Sequence, residues 1–234
     1  YEAKQDDFGK IPGSPIAYWV SDRVKRIFEL GQSLVEISEP RQGMASGDNE
    51  RFLRLWTETN FTDIGFGFSN TTEAHRSQLK YFPFNKGGEY RKWSGNYEYL
   101  IRFDKPNFDI LATMGNNLPS KQFYFQKGIT WSAISSGNFS VREQLKGTIF
   151  SNAGMSVFPS DSNFVYLSSF LNSNVLSKLL EAISQTINFN AGDIKKLPII
   201  FPKQESTKQQ IDTLTQECID ISKEEWDSRE TSWD

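Results

Sequence analysis

One cysteine, Cys218, and one histidine, His75, stand in 234 residues. A lone cysteine excludes an internal disulfide and fits a reducing, cytoplasmic compartment. One residue of each kind cannot assemble a Cys/His zinc site, and no loop has the carboxylate spacing of a calcium site. No apolar run approaches the ~20 residues needed to cross a bilayer, so a membrane is not an expected partner. The polar start, Tyr1 to Asp7, is no signal peptide. Without one, the Asn-x-Ser/Thr triplets at Asn60, Asn70 and Asn138 read as chance. The chain begins without Met and stops at Trp233-Asp234, which reads as a piece of a longer protein.

Enzyme motifs are missing as well. The Asn85-Lys-Gly-Gly88 run is too short for a nucleotide-binding loop. Gly65-Phe-Gly-Phe68 superficially suggests a cofactor loop, but no acid-bearing strand–helix–strand unit follows, and it reads as a turn. Ser-His-Asp chemistry would rest on His75 alone, which lies in a polar stretch without a nucleophile elbow and is expected at the surface. No Asn-Pro-Pro-Tyr or Asp-Pro-Pro-Tyr turn, the kind that holds the amine of a flipped base, occurs anywhere. The sequence therefore assigns no catalytic, metal-binding or cofactor-binding residue.

Aromatics are plentiful, at 14% with an apolar fraction of 37%. That suits a globular chain of one large or two small domains. The net charge is −3, which by itself argues against nucleic acid, but the charge is unevenly placed. Residues 204–234 hold nine acids against three bases, a net of −6, leaving +3 on the remainder. Between 76 and 105 seven bases face three acids. Local charge rather than the total governs attraction to phosphates.

Ser14 as N-cap, Pro15 in the first turn and Ile16, Trp19, Val20, Val24, Ile27 and Phe28 on one face predict a helix over 14–30, stopped by a left-handed Gly31. Gly43 and Gly47 mark a loop. Residues 50–56 fit a short strand or a helix, and 57–80 a long surface loop or hairpin. Strand-like runs follow at 97–103, 122–125, 128–134, 148–150 and 155–158, with Trp131 expected in the core. A helix over 164–184, a strand over 197–201 and a helix over 207–226 complete the chain. In the last helix Ile211, Leu214, Cys218 and Ile221 form a coiled-coil-like seam, expected to pack on a helix outside this piece. The predicted fold class is α+β, a twisted and mainly antiparallel sheet with flanking helices and a C-terminal amphipathic helix. Residues 1–203 would form one domain and 204–234 an acidic connecting or docking segment.

Reading duplex DNA takes Arg or Lys for phosphates, and Arg, Lys, Asn or Gln for base edges. Three clusters supply them. Arg41, Gln42, Asn49 and Arg51 lie in and after the Gly-containing loop. Lys80, Asn85, Lys86, Arg91 and Lys92 interleave with aromatics. Ser132, Ser135, Ser136, Asn138 and Arg142 sit on an expected strand–turn–strand. Each also has a structural reading: a capping turn for the first, core packing for the aromatics of the second, a solvated face for the charges.

The chain resembles the target-recognition region of the PglX-type adenine methyltransferases of BREX phage-exclusion systems. That region is similar to the TaqI-like C-terminal specificity domain and to type I specificity subunits. The resemblance rests on Ile11-Pro-Gly-Ser-Pro-Ile-Ala-Tyr-Trp-Val-Ser21, Pro40-Arg-Gln-Gly-Met-Ala-Ser-Gly-Asp-Asn49 with Arg51-Phe-Leu-Arg54, and Phe82-Pro-Phe-Asn-Lys-Gly-Gly88 with Arg91-Lys-Trp93. It continues through Gly128-Ile-Thr-Trp131, Phe170-Leu-Asn-Ser173, Thr186-Ile-Asn-Phe189 and residues 223–234, over nearly the whole chain. It implies a segment that binds double-stranded DNA and presents an adenine to a missing N-terminal methyltransferase domain, which would use S-adenosylmethionine. Other proteins of the defence system are further implied partners. Two alternatives stand beside it: a type I specificity subunit, and a protein-docking module built on the acidic helix.

Overall fold

The structure, a computed structural model, describes residues 11–12, 20–115, 118–135, 138–183 and 188–233. The fold is α+β with mainly antiparallel sheets and flanking helices. The four-stranded sheet has the order β2 (Leu53–Leu55), β4 (Tyr99–Arg102), β3 (Tyr81–Asn85), β7 (Ile149–Phe150). Only its β3–β7 pair is parallel. The three-stranded sheet runs β6 (Val141–Gln144), β5 (Gly128–Ser132), β8 (Gly154–Val157), all antiparallel. A two-stranded ribbon joins β1 (Gln32–Ser33) to β9 (Pro198–Ile199).

Two apolar clusters hold these layers. One gathers Phe52, Phe82, Phe103, Tyr124, Phe125 and Phe150 around the four-stranded sheet. The other packs Trp131, Val141 and Val157 of the three-stranded sheet against Leu167, Leu171, Leu176 and Leu179 of the helices α6 (Asp161–Leu171) and α7 (Asn174–Ile183). Trp131 is fully buried, as its strand run predicts, and its indole N–H donates to the Phe189 carbonyl at 2.7 Å. A buried tryptophan satisfied in this way keeps its apolar gain without an orphaned donor.

Several local expectations change. The first described helix is α1 (Asp22–Leu30), capped by Ser21, whose Oγ accepts from the Val24 N–H. Ser14, Pro15, Ile16 and Trp19 lie outside the described residues. Gly31 is extended, at φ −79°, so the chain runs straight from α1 into β1 without a left-handed stop. After the short helix α2 (Leu34–Ile37), residues 50–56 prove to be both alternatives in turn, α3 (Asn49–Phe52) and then β2. The 57–80 stretch folds into 3-10 turns at Trp56–Glu58 and Phe61–Asp63 and the helix α4 (Thr71–Arg76), capped by the Asn70 side chain. His75 is half-buried there, edge-on to Phe108 with centroids 4.8 Å apart. Burial pushes its pKa below the usual value.

Within the expected strand region, α5 (Lys105–Thr113) forms, with Pro106 in its first turn where the missing N–H costs nothing. Residues 121–123 are a 3-10 turn rather than a strand. The expected helix over 164–184 breaks at Asn172, the C-cap of α6, whose backbone N–H still bonds the Ser168 carbonyl while its buried side chain bonds strand β6. Its Nδ2 donates to the Val141 carbonyl at 2.9 Å and its Oδ1 accepts the Val141 N–H at 3.0 Å. After α8 (Ala191–Ile194), the last helix is α9 (Glu205–Asp227). It packs on α6 within this chain and buries Thr215, Ile219 and Trp226. The expected seam is only partly the contact face, since Leu214 is 56% and Ile221 67% exposed.

Candidate nucleic-acid interface

Three distant segments meet where the two larger sheets adjoin. An isolated bridge pairs Arg41 with Ser156, placing Gln42 beside β8. The β5–β8 register sets Ser132 opposite Gly154. Beyond β3, Gly87 has φ +90°, and a Cβ there would lie 2.7 Å from the Ala153 carbonyl oxygen. Only glycine lets the backbone after Lys86 press that closely on the β7–β8 turn. The result is a cleft of about 350 Å³ whose lining includes Gln42, Lys86, Ser132, Asn152 and Asn188.

The cleft thus unites one member of each cluster expected from the sequence. Gln42, Asn152 and Asn188 are exposed. The Lys86 ammonium lies over the Tyr99 ring, 4.5 Å from its centroid, a cation–π contact that restrains the charge. Ser132 Oγ donates to the Gly88 carbonyl at 2.8 Å. Carboxamides suit a donor–acceptor edge such as that of adenine, and lysine suits guanine or phosphate. Asn152 and Asn188 escape the sequence reading. Asn152 is the polar tip of a Ser-Asn-Ala-Gly turn between strands, a signal the sequence does contain. Asn188 stands beside Ile134, its partner in an isolated bridge, and both line the cleft.

Six of the other expected residues bond or pack on neighbours within the chain. Arg41 pairs with Glu39 at 2.7 Å and lies over the Phe123 ring. Asn49 is exposed and accepts from Ser46 Oγ. Arg51 is exposed, with its guanidinium over Phe52. Lys80 pairs with Asp63 at 3.6 Å. Arg91 pairs with Glu225 at 2.6 Å and covers Trp226, and Lys92 donates to the Asn172 carbonyl at 2.8 Å. These two bases of the expected basic face therefore bind α9 and the α6 terminus. Ser135 is half-buried and Asn138 exposed, while Ser136 lies outside the described residues.

Asn85 and Arg142 are corrections: both are buried, 5% and 2% exposed, and cannot meet DNA in this conformation. They belong to a polar network between the sheets. Asn85 Nδ2 donates to Thr130 Oγ1, Ser156 Oγ donates to Gln144 Oε1 at 2.7 Å, and Gln144 Nε2 donates to the Gln126 carbonyl at 3.0 Å. Burial lowers the Arg142 pKa to about 10, with Tyr97 and Glu98 opposing. The guanidinium stays charged at neutral pH. Burial likewise raises the Tyr97 phenol to about 12.

The glycine-rich turn at 65–68 does not fit S-adenosylmethionine. Gly65 is packed against the Phe82 and Phe68 rings, and the only helix that follows closely is the six-residue α4. Among the described residues no group of three or more His, Cys, Asp or Glu is placed to hold a metal, and no helix is long and apolar enough to cross a membrane.

No protein-family profile matches the chain. Two relatives align with it almost end to end. The adenine-specific methyltransferase PglX of Lacticaseibacillus casei (strain Zhang) is 39% identical over 243 residues, covering 100% of this chain and 20% of that protein. The adenine-specific methyltransferase BrxX of Escherichia coli O9:H4 (strain HS) is 34% identical over 240 residues, covering 98% and 18%. The chain is homologous to a part of these methyltransferases. It spans about a fifth of the length of the curated relatives it matches. The PglX and BrxX likeness covers the loop carrying Gln42, the Lys86 segment and the turn carrying Asn152 alike.

Proposed function

We propose that this chain is the DNA-target-recognition segment of an S-adenosylmethionine-dependent N6-adenine DNA methyltransferase of a BREX phage-defence system. The observation that carries the reading is the convergence of Gln42, Lys86, Ser132, Asn152 and Asn188 on one cleft, in a chain homologous to part of PglX and BrxX. Lysine supplies attraction to the DNA backbone, and the carboxamides supply base-edge contacts. The methyl-transfer chemistry belongs to the remainder of the parent protein, which this segment positions over its adenine. Residues 1–203 form the reading unit and 204–234 the connecting helix.

A second reading, docking to another protein, is favoured by one feature: Leu214 and Ile221 stand exposed, seven residues apart, on the otherwise charged α9. The two readings separate in a binding experiment on duplex DNA across a salt series. DNA recognition predicts binding that falls steeply with salt. Lys86→Ala would reduce the log–log slope by about 1, one phosphate contact's worth. Salt-independent behaviour, or indifference to Lys86, Gln42 and Asn152 together, refutes it.

A further inference from the structure

A second cleft, of about 460 Å³, lies on the other side of the segment that follows Lys86, and Gly88 lines both. Its walls include Trp56, Tyr90, Tyr99, Trp226 and Glu98. Glu98 Oε2 is shut off from solvent, and no donor among the described residues reaches it. A shielded carboxylate oxygen without a donor is costly to maintain and calls for a partner. The segment shaping the cleft is held in unusual backbone: Gly87, Gly88, Trp93, Gly95 and Asn96 all have positive φ. For Trp93 and Asn96 this conformation is strained, and such strain concentrates at ligand sites. Tyr90, 49% exposed, stands at the mouth. Arg229, paired with Glu225 and with its side chain 45% exposed, lies among the lining residues.

Resting on the DNA-recognition reading, we propose that this cleft receives one unstacked nucleobase from a strand lying across the Lys86–Tyr90 segment. Tyr90, the exposed aromatic of the lining, would stack on the ring, and the Glu98 carboxylate, turned into the cleft, would accept a hydrogen bond from its exocyclic amino group. Guanine, cytosine and adenine carry the amino donor. Thymine lacks it, and its N3–H is flanked by two carbonyl oxygens that a carboxylate repels, so the site ranks the amino-bearing bases above thymine.

The test is an NMR titration of the 234-residue chain with dAMP, dCMP, dGMP, dTMP and 2-deoxyribose 5-phosphate. The Trp56 indole N–H, which donates to the Thr231 carbonyl at 2.9 Å, serves as reporter. Amino-bearing nucleotides should shift it and saturate; the sugar phosphate should not. Glu98→Leu should weaken that binding about tenfold, the ratio given by ~1.4 kcal/mol of charge-assisted hydrogen bonding. Tyr90→Ala, at an exposed position that spares the fold, should weaken it as well. Equal shifts from sugar phosphate and nucleotides overturn the proposal. So does binding unaffected by both substitutions, which would leave Glu98 to a water shared with Arg142, whose Nη1 also lacks a partner. Failure of the first cleft reads differently: duplex affinity would ignore Lys86→Ala while the mononucleotide response persisted.

Discussion

Replacing Asn172 with Ala tests how the three-stranded sheet is tied to the helices. Asn172 is 6% exposed and grips both backbone groups of Val141. The Val141 carbonyl keeps a second donor, the Trp93 N–H at 2.9 Å, but its N–H has only Asn172 among the bonds described. Truncation therefore leaves a buried N–H orphaned, at ~1–3 kcal/mol, and removes one further hydrogen bond of ~0.5–1.5 kcal/mol. The expected loss is about 3 kcal/mol, a large share of the 5–15 kcal/mol typical of a domain. At roughly 2–4 °C per kcal/mol for a chain of this size, Tm should fall by about 6–12 °C. Asn172→Asp should fall between, because its carboxylate still accepts from the N–H but cannot donate to the carbonyl. Urea denaturation followed by tryptophan fluorescence gives the values. A midpoint unchanged in Asn172→Ala would refute the assignment of this residue as a tether.

Three further outcomes follow from named contacts. His75, the only histidine, should give a single NMR titration below the ordinary histidine value of 6.5, because burial disfavours its charged form. Its folded pKa is depressed, so its contribution to stability is complete above 6.5 and is lost as pH falls through the folded value; a midpoint at or above 6.5 contradicts the packing on Phe108. Gly43→Ala should destabilise by about 3 kcal/mol, since its Cβ would sit 2.0 Å from the Phe150 carbonyl oxygen, whereas Gly67→Ala, with open space around it and φ +73°, should cost only ~1 kcal/mol of backbone strain in the same denaturation assay. Arg142→Met should leave duplex affinity in low salt unchanged, because the guanidinium is buried; a drop in affinity without a change in stability would place Arg142 at the interface after all.

Much of the fold is legible where one local signal dominates. The β5 run around Trp131 and the long α9 follow from strand composition and helical spacing. The signal fails where tertiary contacts override it. Asn172 looks like one more residue of a continuous helix until Val141 takes its side chain. The 97–103 strand run gives no sign of the helix that follows it, where Pro106 sits in the first turn of α5. Asn85 and Arg142 have the composition of a DNA-facing surface, but Thr130, Gln144 and Ser156 give the Asn85 network partners inside the protein. The basic run 91–92 looks free because its acidic partner, Glu225, lies 134 residues away from Arg91. The cleft is the least legible part. Gln42, Lys86 and Ser132 each carry a sequence signal, but their meeting with Asn152 depends on sheet register and on the close approach that Gly87 allows.

The central claim, that this segment selects the DNA site, is tested most directly by exchange. The segment of the Lacticaseibacillus casei PglX that aligns with this chain would be replaced by residues 1–234, and the methylated adenines in the host genome mapped by long-read sequencing. The account predicts that the methylated sequence changes with the exchanged segment, and that Gln42→Ala with Asn152→Ala relaxes it further. A chimera that methylates the original PglX site would contradict the account.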